Sequence, residues 1–186
     1  MIFETDTHRV LVWDNAAWVM IADTDTPPGL QLVKSQTVGT GVSSVTVTDA
    51  FSAEFENYRI SYSGGTQSAN TDIGLRLGLN TTGYFGYLTY GAVTSSTVLG
   101  AGNNNSGWWA WVGGGTAGQA SHLACDLYAP FLSVWTKLRN GNYQNNNEYG
   151  TMQGEHRVAT PFDNFTFFPS SGTLTGGTVR VYGYRN

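Results

Sequence analysis

The chain has 186 residues, 12% of them charged and 13% aromatic, with a net charge of −4 and a pI of about 5.2. That length allows one domain with a real core and a small appendage. The nine basic residues are scattered, which argues against nucleic-acid binding through phosphates and against docking on an anionic membrane.

Low charge with many aromatic and β-branched residues also argues against disorder. Polarity comes instead from Gly, Ser, Thr and Asn, which suit hydrogen-bonded protein interfaces and sugars. Three short apolar runs open the chain: Ile2-Phe3, Val10 to Trp13, and Trp18 to Ile21. Turn-forming residues separate them, so residues 1–26 are expected to form a small antiparallel meander. Such a meander is too small to bury its own core. Phe3, Trp13, Trp18 and Met20 are therefore candidate assembly-interface residues. Pro27-Pro28-Gly29 forms a stiff break, residues 27–29, ahead of a larger domain at residues 30–186.

Strand signals then recur. Segments 30–38 and 42–48 come first. Tyr58, Ile60 and Tyr62 alternate with polar residues until Gly64-Gly65, where that run is expected to end. Ile73, Leu75, Leu77 and Leu79 form one apolar face. Segments 84–90, 121–128, 134–139, 164–168 and 178–184 continue the series. The only helical candidate is one turn at residues 51–58, where Phe51 and Phe55 are four apart. Residues 101–107 and 140–150 read as long polar loops. The expected fold is all-β: an N-terminal meander or hairpin appendage followed by an antiparallel jelly-roll-like sandwich.

Two stretches are family-like. Glu4-Thr5-Asp6-Thr7 with Val12-Trp13-Asp14 and Ala17-Trp18-Val19 resembles a short module of tailed-bacteriophage structural proteins, especially tail fibres. In those proteins the module commonly precedes a C-terminal knob. The stretch from Pro169-Ser170-Ser171-Gly172 through Gly176-Gly177-Thr178 to Val181-Tyr182-Gly183-Tyr184 resembles the last strands of such knobs. The resemblance implies a virion protein on the particle surface, trimeric, with a jelly-roll-like knob. As in those proteins, its partners would be itself as a homotrimer, other tail or capsid proteins, and a host-surface glycan or protein. Host-surface attachment as a short fibre or tail appendage is the leading expectation. A capsid decoration protein bracing the shell and a free carbohydrate-binding module are the alternatives.

Candidate ligand-binding residues fall in two places. Trp108, Trp109 and Trp111 lie between glycine-rich segments and are weighed as a stacking platform for a sugar ring. The competing reading puts Trp109 on one strand face and the other two elsewhere, in core or interface. Tyr143 and Tyr149 lie in the Asn-rich segment 140–150, whose composition is that of adaptable binding loops.

Catalysis finds no support. Glu54 and Glu56 are two residues apart and read as solvated edge charges rather than a glycosidase pair. His8, His122 and His156 are widely spaced, and Asp23 and Asp25 lack an EF-hand pattern, so no metal and no cofactor is expected. No serine has a nucleophile-elbow setting. Cys125 is the lone cysteine, in an alternating segment, and reads as a small buried residue. No export signal and no membrane-spanning stretch is legible, so synthesis in a host cytoplasm is expected.

Overall fold

A computed structural model describes residues 2–4, 9–23 and 29–185; the side chains of residues 2–4, 9, 20–23 and 142 lie outside the described set. Thr24 to Pro28, including both prolines of the expected break and Asp25, and also His8, lie outside the described residues. The chain divides into two compact units, Met1–Gln31 with Arg185–Asn186, and Leu32–Tyr184.

The small unit is the expected meander. Strands β1 (Ile2–Glu4), β2 (Arg9–Trp13) and β3 (Trp18–Asp23) pair antiparallel in that order. The β2–β3 turn is held by Asp14. Its carboxylate accepts the backbone N–H groups of Ala16 and Ala17 at 2.9 and 2.8 Å. These bonds, with that of Ala17 the larger, keep the Asp14 carboxyl below its ordinary pKa. Asn15 takes φ 79°, a left-handed conformation that asparagine tolerates.

Twelve further strands form one branched antiparallel sheet. They are β4 (Gly29–Thr37), β5 (Val45–Val47), β6 (Asn57–Gln67), β7 (Thr71–Leu77), β8 (Tyr84–Ala92) and β9 (Val98–Ser106). Then follow β10 (Trp109–Gly115), β11 (Ala120–Tyr128), β12 (Thr136–Asn145), β13 (Glu148–His156), β14 (Phe165–Pro169) and β15 (Leu174–Arg185). One layer runs β4-β15-β6-β11, the other β5-β14-β7-β10. These eight strands are the two Greek keys of a jelly roll. Two hairpins are inserted into it, β8–β9 between β7 and β10, and β12–β13 between β11 and β14. They pair as β12-β13-β8-β9 and extend the first layer sideways. The fork is at β11. One of its edges pairs β6 over nearly its whole length; the other takes β10 at His122 and Leu123, then β12 from Cys125 onward.

Alternation explains the core. On β6, Tyr58, Ile60 and Tyr62 point inward and are at most 1% exposed. They meet the inward residues of β14 across the layers, with the Tyr62 and Phe167 rings 5.2 Å apart. Ile73, Leu75, Leu77, Leu123, Leu127, Val179 and Val181 complete the same cluster. Cys125 is buried in it, and that burial pushes its thiol pKa up.

The structure corrects five local expectations. Residues 51–58 form turns and the start of β6, not a helical turn. The Tyr58 phenol takes the place of helical hydrogen bonds: it accepts from the Ser52 N–H at 2.7 Å and donates to the Ser52 carbonyl at 2.8 Å. Phe51 and Phe55 both pack on the Tyr58 ring. Gly64-Gly65 does not end β6, which continues to Gln67. The Tyr62 phenol folds over the glycines and donates to the Gly176 carbonyl at 3.0 Å, and a Cβ on Gly65 would overlap that phenol. Leu79 does not share the face of Leu77, because β7 stops there, Gly78 turns at φ 52°, and Leu79 is 92% exposed. Residues 101–107 are largely β9. Residues 140–150 are the facing ends of β12 and β13, closed by a two-residue Asn146-Asn147 turn with Asn146 at φ 52°.

Candidate functional site

The Trp108–Trp111 segment does not make a platform. Trp109 is the largest fully buried side chain; it meets Tyr84 edge-on at 5.1 Å and its indole N–H donates to the Phe85 carbonyl at 3.2 Å. Trp108 points the other way and packs edge-on against Phe168 at 5.4 Å, above Gly74. Between Trp109 and Gly113 the register with β7 slips, and Trp111 takes φ 60°. At this bulge Trp111 is half-buried and packs against the core cluster. Trp109 is fully buried, Trp108 packs on Phe168 and Trp111 is half-buried against the core, so a sugar cannot stack on the three together.

Tyr143 is likewise internal, only 3% exposed. Its phenol lies 3.0 Å from Asp72 Oδ1 and 3.3 Å from Glu148 Oε2, and Asn145 Nδ2 donates to the same Asp72 oxygen at 2.9 Å. One phenolic proton serves two carboxyl groups, so it satisfies one at a time. Burial pushes the Asp72 carboxyl above its ordinary pKa, against the lowering effect of the Tyr143 and Asn145 hydrogen bonds. Burial, with the charge of Asp72, pushes the Tyr143 phenol far up. This cluster ties the tip of the β12–β13 hairpin to β7. Its role is positional.

The surface that gathers accessible aromatic and hydrogen-bonding groups is the outer face of β8 and β13. Along β8, Tyr84 and Leu88 point into the core, so Phe85, Tyr87 and Thr89 point out. Along β13, Met152 and His156 point in, so Tyr149, Thr151, Gln153 and Glu155 point out. The register sets Phe85 beside Glu155, Tyr87 beside Gln153 and Thr89 beside Thr151. Tyr87 is 59% exposed and leans across β9, its phenol occupying the space a side chain at position 100 would need. Gly100 is what lets the ring lie there.

Two shallow hollows adjoin on this face. One of about 200 Å³ is lined by Tyr87, Thr89, Thr151 and Gln153. The other, about 310 Å³, shares Tyr87 and Gln153 and reaches Phe85, Lys137 and Glu155. Arg157 braces its Phe85–Glu155 end. The Arg157 guanidinium sits 4.0 Å over the Phe85 ring and 5.4 Å from the Trp135 ring, and its Nε donates to Glu155 at 2.6 Å. Lys137 and Arg139, also outward, lie beside Glu155 and Gln153 across the ladder. Neither forms an ion pair among the described residues.

Of the predicted ligand-contact residues, Tyr149 alone lies on this face. It is 51% exposed, with Gln144 Nε2 3.3 Å from its phenol oxygen. Tyr87 was missed by the sequence reading, although the Phe85-Tyr87-Thr89 alternation was its signal. Trp13 and Trp18, in the small unit, are 49% and 47% exposed and meet edge to face at 5.7 Å across the β2–β3 pair. The side chains of Phe3 and Met20 lie outside the described residues.

No group of three or more His, Cys, Asp or Glu side chains suited to a metal occurs among the described residues. His156 is fully buried against Tyr84, its Nε2 is 3.1 Å from the Thr82 carbonyl, and burial lowers its pKa. No described helix is long and apolar enough to cross a membrane.

No family model and no curated protein matches the chain. Among solved structures, the infectious bursal disease virus VP2 subviral particle aligns over 96% of this chain and 47% of that one, at 9% identity and a TM-score of 0.14. A likeness that slight carries no argument about fold or function.

Proposed function

We propose that this chain is a non-enzymatic structural protein on the surface of a tailed-phage virion, working as a short trimeric fibre or tail appendage for host attachment. One observation carries the reading: the Trp13–Trp18 pair stands half exposed on a three-stranded sheet. Two tryptophans left open on so small a sheet are surface kept for another molecule. A second copy or the particle itself is the partner that fits, since closed symmetric contacts bury such patches without open-ended growth. The phage-like residues at 4–19 and 169–184 support the same reading.

Imaging of particles carrying a labelled version of this chain tests the proposal. Density at the tail in a few threefold copies is the expected result. Label spread over empty heads in tens to hundreds of copies would replace attachment with capsid decoration, and absence from the particle would end the virion reading altogether.

A further inference from the structure

We infer that the outer face of β8 and β13 is a saccharide-binding site, with Tyr87 as its stacking platform and acidic sugars as its preferred ligands. The inference rests on the attachment reading, for which it names the ligand class.

A pyranose has an apolar C–H face and a rim of hydroxyls. Its site needs an accessible ring, donors and acceptors around it, and a shallow concave floor. Tyr87 supplies the ring. Thr89, Thr151 and Gln153 surround it with two hydroxyls and an amide, groups that both donate and accept. Tyr149 lies four residues along β13 from Gln153, about 13 Å away at the usual strand rise. The spacing of the two tyrosines on one face therefore suits an oligosaccharide rather than a single ring.

The charges choose among sugars. Glu155 is paired with Arg157, which leaves Lys137 as the lining charge with no ion pair among the described residues; Arg139 lies two residues further along β12, between Gln153 and Asp126, and Arg59 already holds the Asp126 carboxylate. On a chain with net charge −4, this is a local positive field. It favours uronic acids and other sugars bearing carboxylate or phosphate. A second protein chain fits this face poorly, because interface cores are depleted of charge.

The test uses the full chain on an array of neutral hexose, N-acetylhexosamine and uronate-containing oligosaccharides, with titration calorimetry on the hits. The expected result is binding to uronate-containing oligomers that weakens with salt. Tyr87→Ala should weaken it about tenfold, the loss of one ring contact. Lys137→Ala should weaken acidic ligands selectively, Thr151→Val should weaken all ligands, and Leu79→Ser should change nothing. Neutral and acidic oligomers bound equally would overturn the acidic preference. No binding at about millimolar ligand, or binding untouched by Tyr87→Ala, would overturn the site. A change in sedimentation on Tyr87→Ala without sugar binding would make the face a subunit contact and overturn it as well. Any of these failures leaves the particle location untouched, while loss of that location with sugar binding intact would leave a free lectin.

Discussion

Trp109 and Tyr87 sit near each other in the fold and do opposite things. Trp109 is fully buried and fills the space over β13, where a Cβ on Gly154 would strike its indole. Tyr87 is on the same patch of sheet but on its other side, open to solvent above Gly100. In both cases a large ring lies over a glycine on a strand it packs against. The side of the sheet decides whether the ring becomes core or surface. An aromatic-rich segment in a sequence thus marks where bulk is needed, not where a ligand binds.

The sharpest way to break this contrast is Trp109→Ala. It leaves a cavity lined by Tyr84, His156 and the glycine strand, and should cost about 3–5 kcal/mol in denaturant unfolding. Tyr87→Ala should stay within about 0.5 kcal/mol of the parent, as an exposed site does. Similar losses at both positions would mean that Tyr87 is part of the core.

The Asp72 cluster gives an intermediate effect. Tyr143→Phe leaves a half-buried carboxyl short of a donor and should cost about 1–3 kcal/mol. The pH dependence has a definite sign. The folded-state pKa of Asp72 is raised, so its contribution is fully present below the ordinary Asp value of about 3.9 and is lost as pH rises through the folded value. Unfolding midpoints should fall across that window, and Asp72→Asn should remove that part of the slope. An unchanged slope in the variant would assign it to other groups.

Much of the sandwich was legible in the sequence, because β6, β11 and the second half of β15 alternate between core and more exposed positions and β7 sets Ile73, Leu75 and Leu77 on one face. The inserted hairpins were not. The inward positions of β13 are Glu148, Gly150, Met152, Gly154 and His156, so the strand has almost no apolar signal. Trp109 supplies the bulk that those residues lack. The Asn-rich ends of β9 and β12 read as loops because their pairing is set by neighbours rather than by their own pattern. The directions of Trp108, Trp109 and Trp111 depended on the bulge at Trp111, which no periodicity announces. Composition marked both Tyr149, which is exposed, and Tyr143 of the same segment, which is internal.

The small unit differs from the large one in the same terms: its tryptophans have no glycine strand or second layer described against them, and they stay half exposed. Sedimentation equilibrium of the full chain at micromolar concentration is the most direct test of the account. A stable trimer, converted to monomer by Trp13→Ser with Trp18→Ser while the unfolding of the large unit is unchanged, is the predicted result. A parent chain that sediments as a monomer would contradict it.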